Sequence, residues 1–292
     1  IIISCNKNLQ DNFGINIEDY KKLSRKFLYL GINRYGEEFD SLTNTKIFEG
    51  KYLKGKRNGF GKEYNSEGKI IFEGEYLNGK KIEGTGYDNK GNIILKLEKN
   101  GEGKEYFNNG NLKFVGNYIN GKRFNGKGYN YYGMEEYVIK YGKGFVNEYD
   151  FFGELIFQGE YLNGEKNGIG KEYTLGKLSF EGEYLNGEKN GKAKEFHLNG
   201  YIAFEGEYIN GIKNGKGKEY DRYGDLKYEG DYVSGKRSGF GKEYYENGKI
   251  KYEGEYLNGE KNGKGKEYWC GDLIFEGEYL NGERHGKGKE YN

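Results

Sequence analysis

Residues 252–268, YEGEYLNGEKNGKGKEY, hold the side chains of this sequence that invite a chemical reading. Gly263-Lys264-Gly265-Lys266 has the composition of a phosphate-cradling loop. Such a loop needs G-x-x-x-x-G-K-[ST] between a strand and a helix, so that helix-terminal amides meet the phosphate. Here Glu267 and Tyr268 follow, in a strand pattern, and nucleotide binding is not expected. Glu253 and Glu255 have the spacing of a metal or acid–base pair, but calcium needs a concave cage of six or more oxygens. These two carboxylates sit on an open strand beside Lys264 and Lys266, so a solvated charged face is expected. His197 and His285 stand too far apart for one zinc site, and Cys270 beside Trp269 reads as a turn-end residue. With no Ser/His/Asp constellation either, the expectation is a non-enzyme without metal or cofactor.

The elements that carry these residues are strands. In KIKYEGEYL (249–257), Lys249, Lys251, Glu253 and Glu255 alternate with Ile250, Tyr252, Gly254 and Tyr256, a period of two. Asn258-Gly259 is a hairpin-turn signal, because both residues tolerate positive φ. KGKEY (264–268) makes the return strand, and Glu246-Asn247-Gly248 exemplifies the turn into the next unit. Helix is disfavoured, since each Gly would cost about 1 kcal/mol. The charges suggest a register in which Glu255 faces Lys264 and Glu253 faces Lys266. Tyr256 then lies opposite Gly263, Tyr252 near Glu267, and Gly254 opposite Gly265. One face becomes a charge lattice and the other an aromatic ladder.

This hairpin is one of many. Its opening aromatic recurs at Phe48, Phe72, Phe114, Phe157, Phe180, Phe204, Tyr228, Tyr252 and Phe275, mostly at intervals of 23 or 24 residues. Two intervals, of 42 and 43, each hide a shortened copy, at 94–106 and 137–149, that lacks the Tyr-Leu-Asn-Gly turn. The expected architecture is all-β: an elongated single-layer antiparallel solenoid of about eleven hairpins over residues 47–292. At a strand spacing of ~4.8 Å it would reach roughly 100 Å. Residues 1–46 read as an N-terminal segment with a capping helix over about 17–30, from an Asn16 cap along the stripe Ile17, Tyr20, Leu23, Phe27 and Leu30 to Gly31.

Composition agrees. The 292 residues include 52 Gly, 31 Tyr, 18 Phe and no Pro, a turn-and-strand inventory in which every residue can donate to a ladder. Forty-seven basic residues against 46 acidic give a net charge of +1, without the basic excess that nucleic-acid binding requires. Two cysteines, Cys5 and Cys270, make no disulfide framework, and a cytoplasmic, conceivably membrane-associated location is expected. Ile2-Ile3-Ser4-Cys5 fits the end of a bacterial lipoprotein signal, which makes an envelope protein anchored through Cys5 the alternative.

Tyr252, Gly254, Tyr256, Gly259, Gly263 and Gly265, repeated along the chain, resemble the MORN repeat (membrane occupation and recognition nexus), in its MORN-variant form. FEGEYLNGERHGKGKEY (275–291) is the nearest copy, through His285-Gly286. Tyr stands where the family usually has Trp. The resemblance implies a single-layer sheet of hairpins forming a twisted groove. It also implies a scaffold for protein partners, a second copy of the chain included, rather than catalysis. A membrane or anionic lipid headgroup, or a glycan, is the alternative partner. The residues singled out for partner binding are those of the aromatic ladder: Phe72, Tyr76, Phe157, Tyr161, Phe180, Tyr184, Phe204, Tyr208, Tyr228, Tyr232, Tyr252, Tyr256, Phe275 and Tyr279. The other reading of the same rings is structural packing.

Overall fold

The computed structural model describes residues 26–30 and 34–291. Among them are 24 strands and no α-helix, and each strand pairs antiparallel with its neighbours in sequence. One open sheet runs from β1 (Lys26–Leu30) to β11 (Glu135–Ile139), the other from β12 (Gly144–Tyr149) to β24 (Glu283–Glu290). The expected single-layer hairpin array is thus present. The described residues divide into two compact units, one of those up to 142 with 151–153, the other of 143–150 with 154–291. Strands β11 and β12 are the two halves of the shortened copy at 137–149, so the break falls where the repeat has lost its hairpin turn. The shortened copy at 94–106 stays within the first sheet, its strands paired at only three positions.

The hairpin turns follow from the sequence. Asn258 and Gly259 have φ of 55° and 98°, both positive as a two-residue type I′ turn demands. That turn sets Leu257 opposite Glu260 and Tyr256 opposite Lys261 between β21 (Ile250–Leu257) and β22 (Glu260–Trp269). Further along, Gly254 faces Gly265, Glu253 faces Lys266 and Tyr252 faces Glu267, as expected. Between these two stretches Glu255 alone must match Asn262, Gly263 and Lys264, so the return strand bulges. The expected pairs Glu255–Lys264 and Tyr256–Gly263 are therefore not formed. The cause is the tight turn, which leaves two surplus residues on the return strand. Gly263 absorbs them at φ 87°, and the Glu255 carboxylate lies where a Cβ on that glycine would go. Successive hairpins are also tied at the turn row, where the Gly259 N–H donates to the Arg237 carbonyl at 2.9 Å.

The core is a single layer of rings on one face. The Tyr252 ring lies over the glycine pair Gly254 and Gly265, so that a Cβ on Gly265 would come within 2.3–2.6 Å of it. Where a full-length unit follows, the opening aromatic meets the second aromatic of its own unit and of the next edge-on. Tyr228–Tyr256, Tyr256–Tyr252 and Tyr252–Tyr279 have centroids 5.4, 5.5 and 5.2 Å apart. Burial of such a ring stabilises by about 1.5–3 kcal/mol, with about 0.5–1.5 more from each edge-to-face pair.

The N-terminal helix expected over 17–30 is corrected in its last third. Residues 26–30 form β1, paired through Lys26–Asp40 to Leu30–Gly36 with β2 (Tyr35–Asp40). The strand wins because Leu28 packs against the Phe48–Tyr52 core and the open edge of β2 offers a ladder of hydrogen bonds. Residues 17–25, like Cys5, lie outside the described residues.

The glycine column makes a test. An alanine methyl at 182 would stand 2.4 Å from the Ala193 methyl on the facing strand. Gly182→Ala should therefore cost about 1–3 kcal/mol in denaturant unfolding, whereas Ala193→Gly, which relieves the site, should cost no more than about 1 kcal/mol.

Candidate interaction surface

The two faces of each sheet differ in what they offer a partner. On the ring face, Phe72, Tyr76, Phe157, Phe180, Tyr184, Phe204, Tyr208, Tyr228, Tyr232, Tyr252, Tyr256, Phe275 and Tyr279 are 0–6% exposed, and Tyr161 is half-buried. The structure brings them together as one packed row in each unit. A layer that sequence reasoning missed lies over them. Lys261, the second residue after Asn258-Gly259, places its ammonium 4.1 Å from the Tyr252 centroid. Arg57, Lys81, Arg123, Lys166, Lys189, Lys213, Arg237 and Arg284 hold the same place at 3.8–4.7 Å in the other full-length units. The signal was legible as a base two positions past each hairpin glycine.

Carboxylates fix these cations. Lys189 meets Glu172 of the preceding hairpin at 3.0 Å and Lys213 meets Glu195 at 2.9 Å. Arg237 bridges Glu219 and Glu243. Glu195 also accepts from the second aromatic of the next unit, Tyr208 Oη at 2.5 Å. Burial, then the hydrogen bond to Glu195 and the Glu195 charge, hold Tyr208 far above the ordinary tyrosine range, so the hydroxyl stays a donor. The tightest copy is in the first unit, where Arg123 and Tyr118 both donate to Glu105. Burial alone would raise the Glu105 pKa; the Arg123 charge and these hydrogen bonds outweigh it and bring it to about 2.

The charged face is built differently. Lys171, Glu181, Lys194, Glu205, Lys218, Glu229, Lys242, Glu253, Lys266 and Glu276 stand opposite one another on successive strands, base and acid alternating. The close pairs bridge neighbouring hairpins: Lys171–Glu181 at 3.3 Å, Lys242–Glu253 at 3.9 Å and Lys266–Glu276 at 3.4 Å. The closing tyrosine completes the row, Tyr268 Oη donating to Glu253 at 2.7 Å, and burial with that carboxylate pushes its pKa up to about 12. Beside this satisfied row runs a second one, on the bulges, with acids Glu160, Glu183, Glu207, Asp231 and Glu255. Only Asp231 among these five forms an ion pair, with Lys216 at 2.7 Å. In the second unit the two rows line an open groove of about 830 Å³ between Ile169 and Phe240.

Chemically, the arrangement presents fixed charges on a rigid sheet. Among the described residues no group of three or more His, Cys, Asp or Glu could hold a metal ion. His197 sits against the Tyr220 carbonyl at 3.2 Å, His285 faces Glu278, and exposed Cys270 lies in a turn at φ 53°. No helix of the described residues is long and apolar enough to cross a membrane.

Glu105 gives a pH test. A carboxylate whose folded pKa lies below its unfolded value adds stability that is present above the latter and lost as pH falls through the former. Stability of the first unit should therefore fall between pH 4.5 and about 2, by at most about 3 kcal/mol from this group. Glu105→Gln should be less stable at neutral pH and should lose that part of the acid dependence in urea titrations at several pH values.

No curated protein matches the chain. Among solved structures it is similar to a S. aureus TarM mutant in complex with fondaparinux, alpha-GlcNAc-glycerol and UDP, at 17% identity and TM-score 0.23, over 41% of this chain and 24% of that one. It is similar also to the TcdB2-TccC3-Cdc42 structure (14% identity, TM-score 0.16, 84% of this chain) and to TcdB2-TccC3 (10%, 0.19, 86%). The chain spans 14% and 19% of those two, and scores of this size carry no functional argument. The MORN repeat model, by contrast, matches eight stretches, 48–69, 98–112, 157–174, 180–196, 204–224, 228–250, 252–271 and 275–291, more than half of the residues. With hairpins, turns and glycine pairs in register with those stretches, the chain belongs to the MORN repeat family.

Proposed function

We propose that the chain is a non-catalytic scaffold that holds a protein partner, a second copy of itself included, on the charged face of its hairpin array. MORN repeats are typically protein- or membrane-interaction modules. The observation that carries the choice of face is the roofed ring layer: the aromatic ladder is packed beneath cations, while the opposite face holds an open groove with carboxylates outside any ion pair. In this reading Phe72 to Tyr279 serve the partner indirectly, by holding the sheet rigid behind the groove.

A second reading, a surface for anionic lipid headgroups, has one observation in its favour. Lys96 and Lys104 stand directly opposite each other in the shortened copy, and neither forms an ion pair. Like charges across strands repel, and an anion would relieve them. Pelleting with anionic vesicles that Lys96→Glu abolishes would favour this reading.

A photo-crosslinking residue at position 194, on the charged face, should give partner adducts from native extract. The same residue at 213, on the ring face, should give few or none. Adducts from 213 alone would overturn the assignment of the face.

A further inference from the structure

The groove is not uniform along its length. The residue after the bulge glycine of each return strand belongs to the bulge row, and in most full-length units of the second sheet it is a lysine: Lys192, Lys216, Lys264 and Lys287. Each lysine stands among carboxylates of the adjoining strands, as Lys192 faces Glu207 and Lys264 faces Glu278. At three positions of the second sheet the equivalent residue is apolar: Phe145, which faces Glu160 from the edge strand β12 outside the groove, and Ile169 and Phe240 within it. Ile169 faces Glu183, and Phe240 faces Glu255. On the hairpin side of each, a carboxylate lies over the preceding glycine: Glu160 over Gly168 and Asp231 over Gly239. Ile169 and Phe240 are both 52% exposed, and both line the groove.

Each replacement removes a positive charge and sets an apolar side chain between two carboxylates. Glu160, Glu183 and Glu255 are left without an ion pair, and Asp231 keeps Lys216 at 2.7 Å. The complement of such a spot is an apolar side chain next to a basic one. An acidic ligand would meet two carboxylates at each spot. Between the two spots, Lys192, Glu207 and Lys216 continue the alternation, which suits an uncharged polar stretch.

We infer that the groove takes an extended segment of a partner protein with a basic residue beside an apolar one at each end, about nine residues overall. The length follows from the sheet. Ile169 is on β14 (Glu165–Thr174) and Phe240 on β20 (Lys236–Tyr244), six strand spacings apart. At ~4.8 Å per spacing they are ~29 Å apart, which an extended chain of ~3.3 Å per residue covers in about nine residues. A helix of that length would reach only ~14 Å. The occupant runs across the strands, so it is recognised by side chains rather than by joining the ladder. This inference rests on the charged face being the binding face.

The test uses the full chain and labelled nine-residue peptides: Lys-Leu and Leu-Lys ends around five Thr, Ser and Gln residues, the same peptide with Glu for Lys, and a one-ended version. Fluorescence anisotropy should show the basic two-ended probe binding at least tenfold more tightly than either of the others. Ile169→Lys and Phe240→Lys restore the residue that neighbouring repeats carry, so the fold is retained, as an unchanged melting curve would show. Each should weaken the basic probe at least tenfold, whereas Lys287→Ala, on β24 and outside this groove, should leave it unchanged. No binding of the basic probe, equal binding of the acidic one, or an unaltered affinity in Ile169→Lys would overturn the proposal. Partner adducts at position 194 that persist in the Ile169→Lys/Phe240→Lys double variant would also sink it, while leaving the scaffold reading intact.

Discussion

A ring laid over two glycines is the contact on which the rest of this molecule depends. A single-layer sheet has no second layer to bury its apolar face, so the face must be its own core. The Gly254–Gly265 pair removes both Cβ atoms, and the Tyr252 ring takes their place against the backbone. The second aromatic of the following unit closes one side of that ring, and the Lys261 ammonium closes the top. Each unit thus needs its successor to finish burying its ring, which makes the array cooperative between nearest neighbours. A Cβ in the glycine column, or loss of the base, opens this layer at one repeat and weakens the two beside it.

The same hairpin geometry separates structure from function. Because a two-residue turn and the glycine pair cannot share one register, every full-length return strand of the second sheet carries two surplus residues, and those at 80–87 and 122–129 carry one. The bulge directs Gly263 into a left-handed conformation and frees Glu255 from a cross-strand partner. Sheet cohesion therefore rests on the paired row, from Lys171 to Glu276, and the bulge row is left with charges that the fold does not consume. Exposed ion pairs of the first kind contribute little each, about 0–1 kcal/mol. Their regularity still matters, because it fixes where charge is spent and where it is available. Ile169 and Phe240 are departures within the available row.

Most of this was legible in the sequence. Period-two alternation, Asn-Gly turns and a recurrence of 23 or 24 residues specified strands, hairpins and their order, because each is a local signal repeated many times. The pairing of Gly254 with Gly265 and Glu253 with Lys266 was readable from charge alone. The Glu255–Lys264 pairing was not, since charge complementarity and turn length disagree there and the turn wins. Residues 26–30 show the opposite limit: a helical stripe runs through Phe27 and Leu30 in the sequence, and the open edge of β2, which the stripe does not reveal, takes the segment as a strand. The aromatic ladder was legible as a row; its cover was present in the sequence only as a base recurring two positions past each hairpin glycine, and the fold is what sets Lys261 over Tyr252.

Lysines on both faces allow the central claim to be read in a single experiment. Lys189 and Lys213 lie over rings, whereas Lys192, Lys194, Lys216 and Lys218 belong to the charged face. Lysine acylation of the chain, alone and with a captured native partner, followed by mass spectrometry, reports each side chain separately. The account predicts that the partner protects Lys192, Lys194, Lys216 and Lys218 and leaves Lys189 and Lys213 as they were. Protection of Lys189 and Lys213 with the charged face unchanged would contradict it.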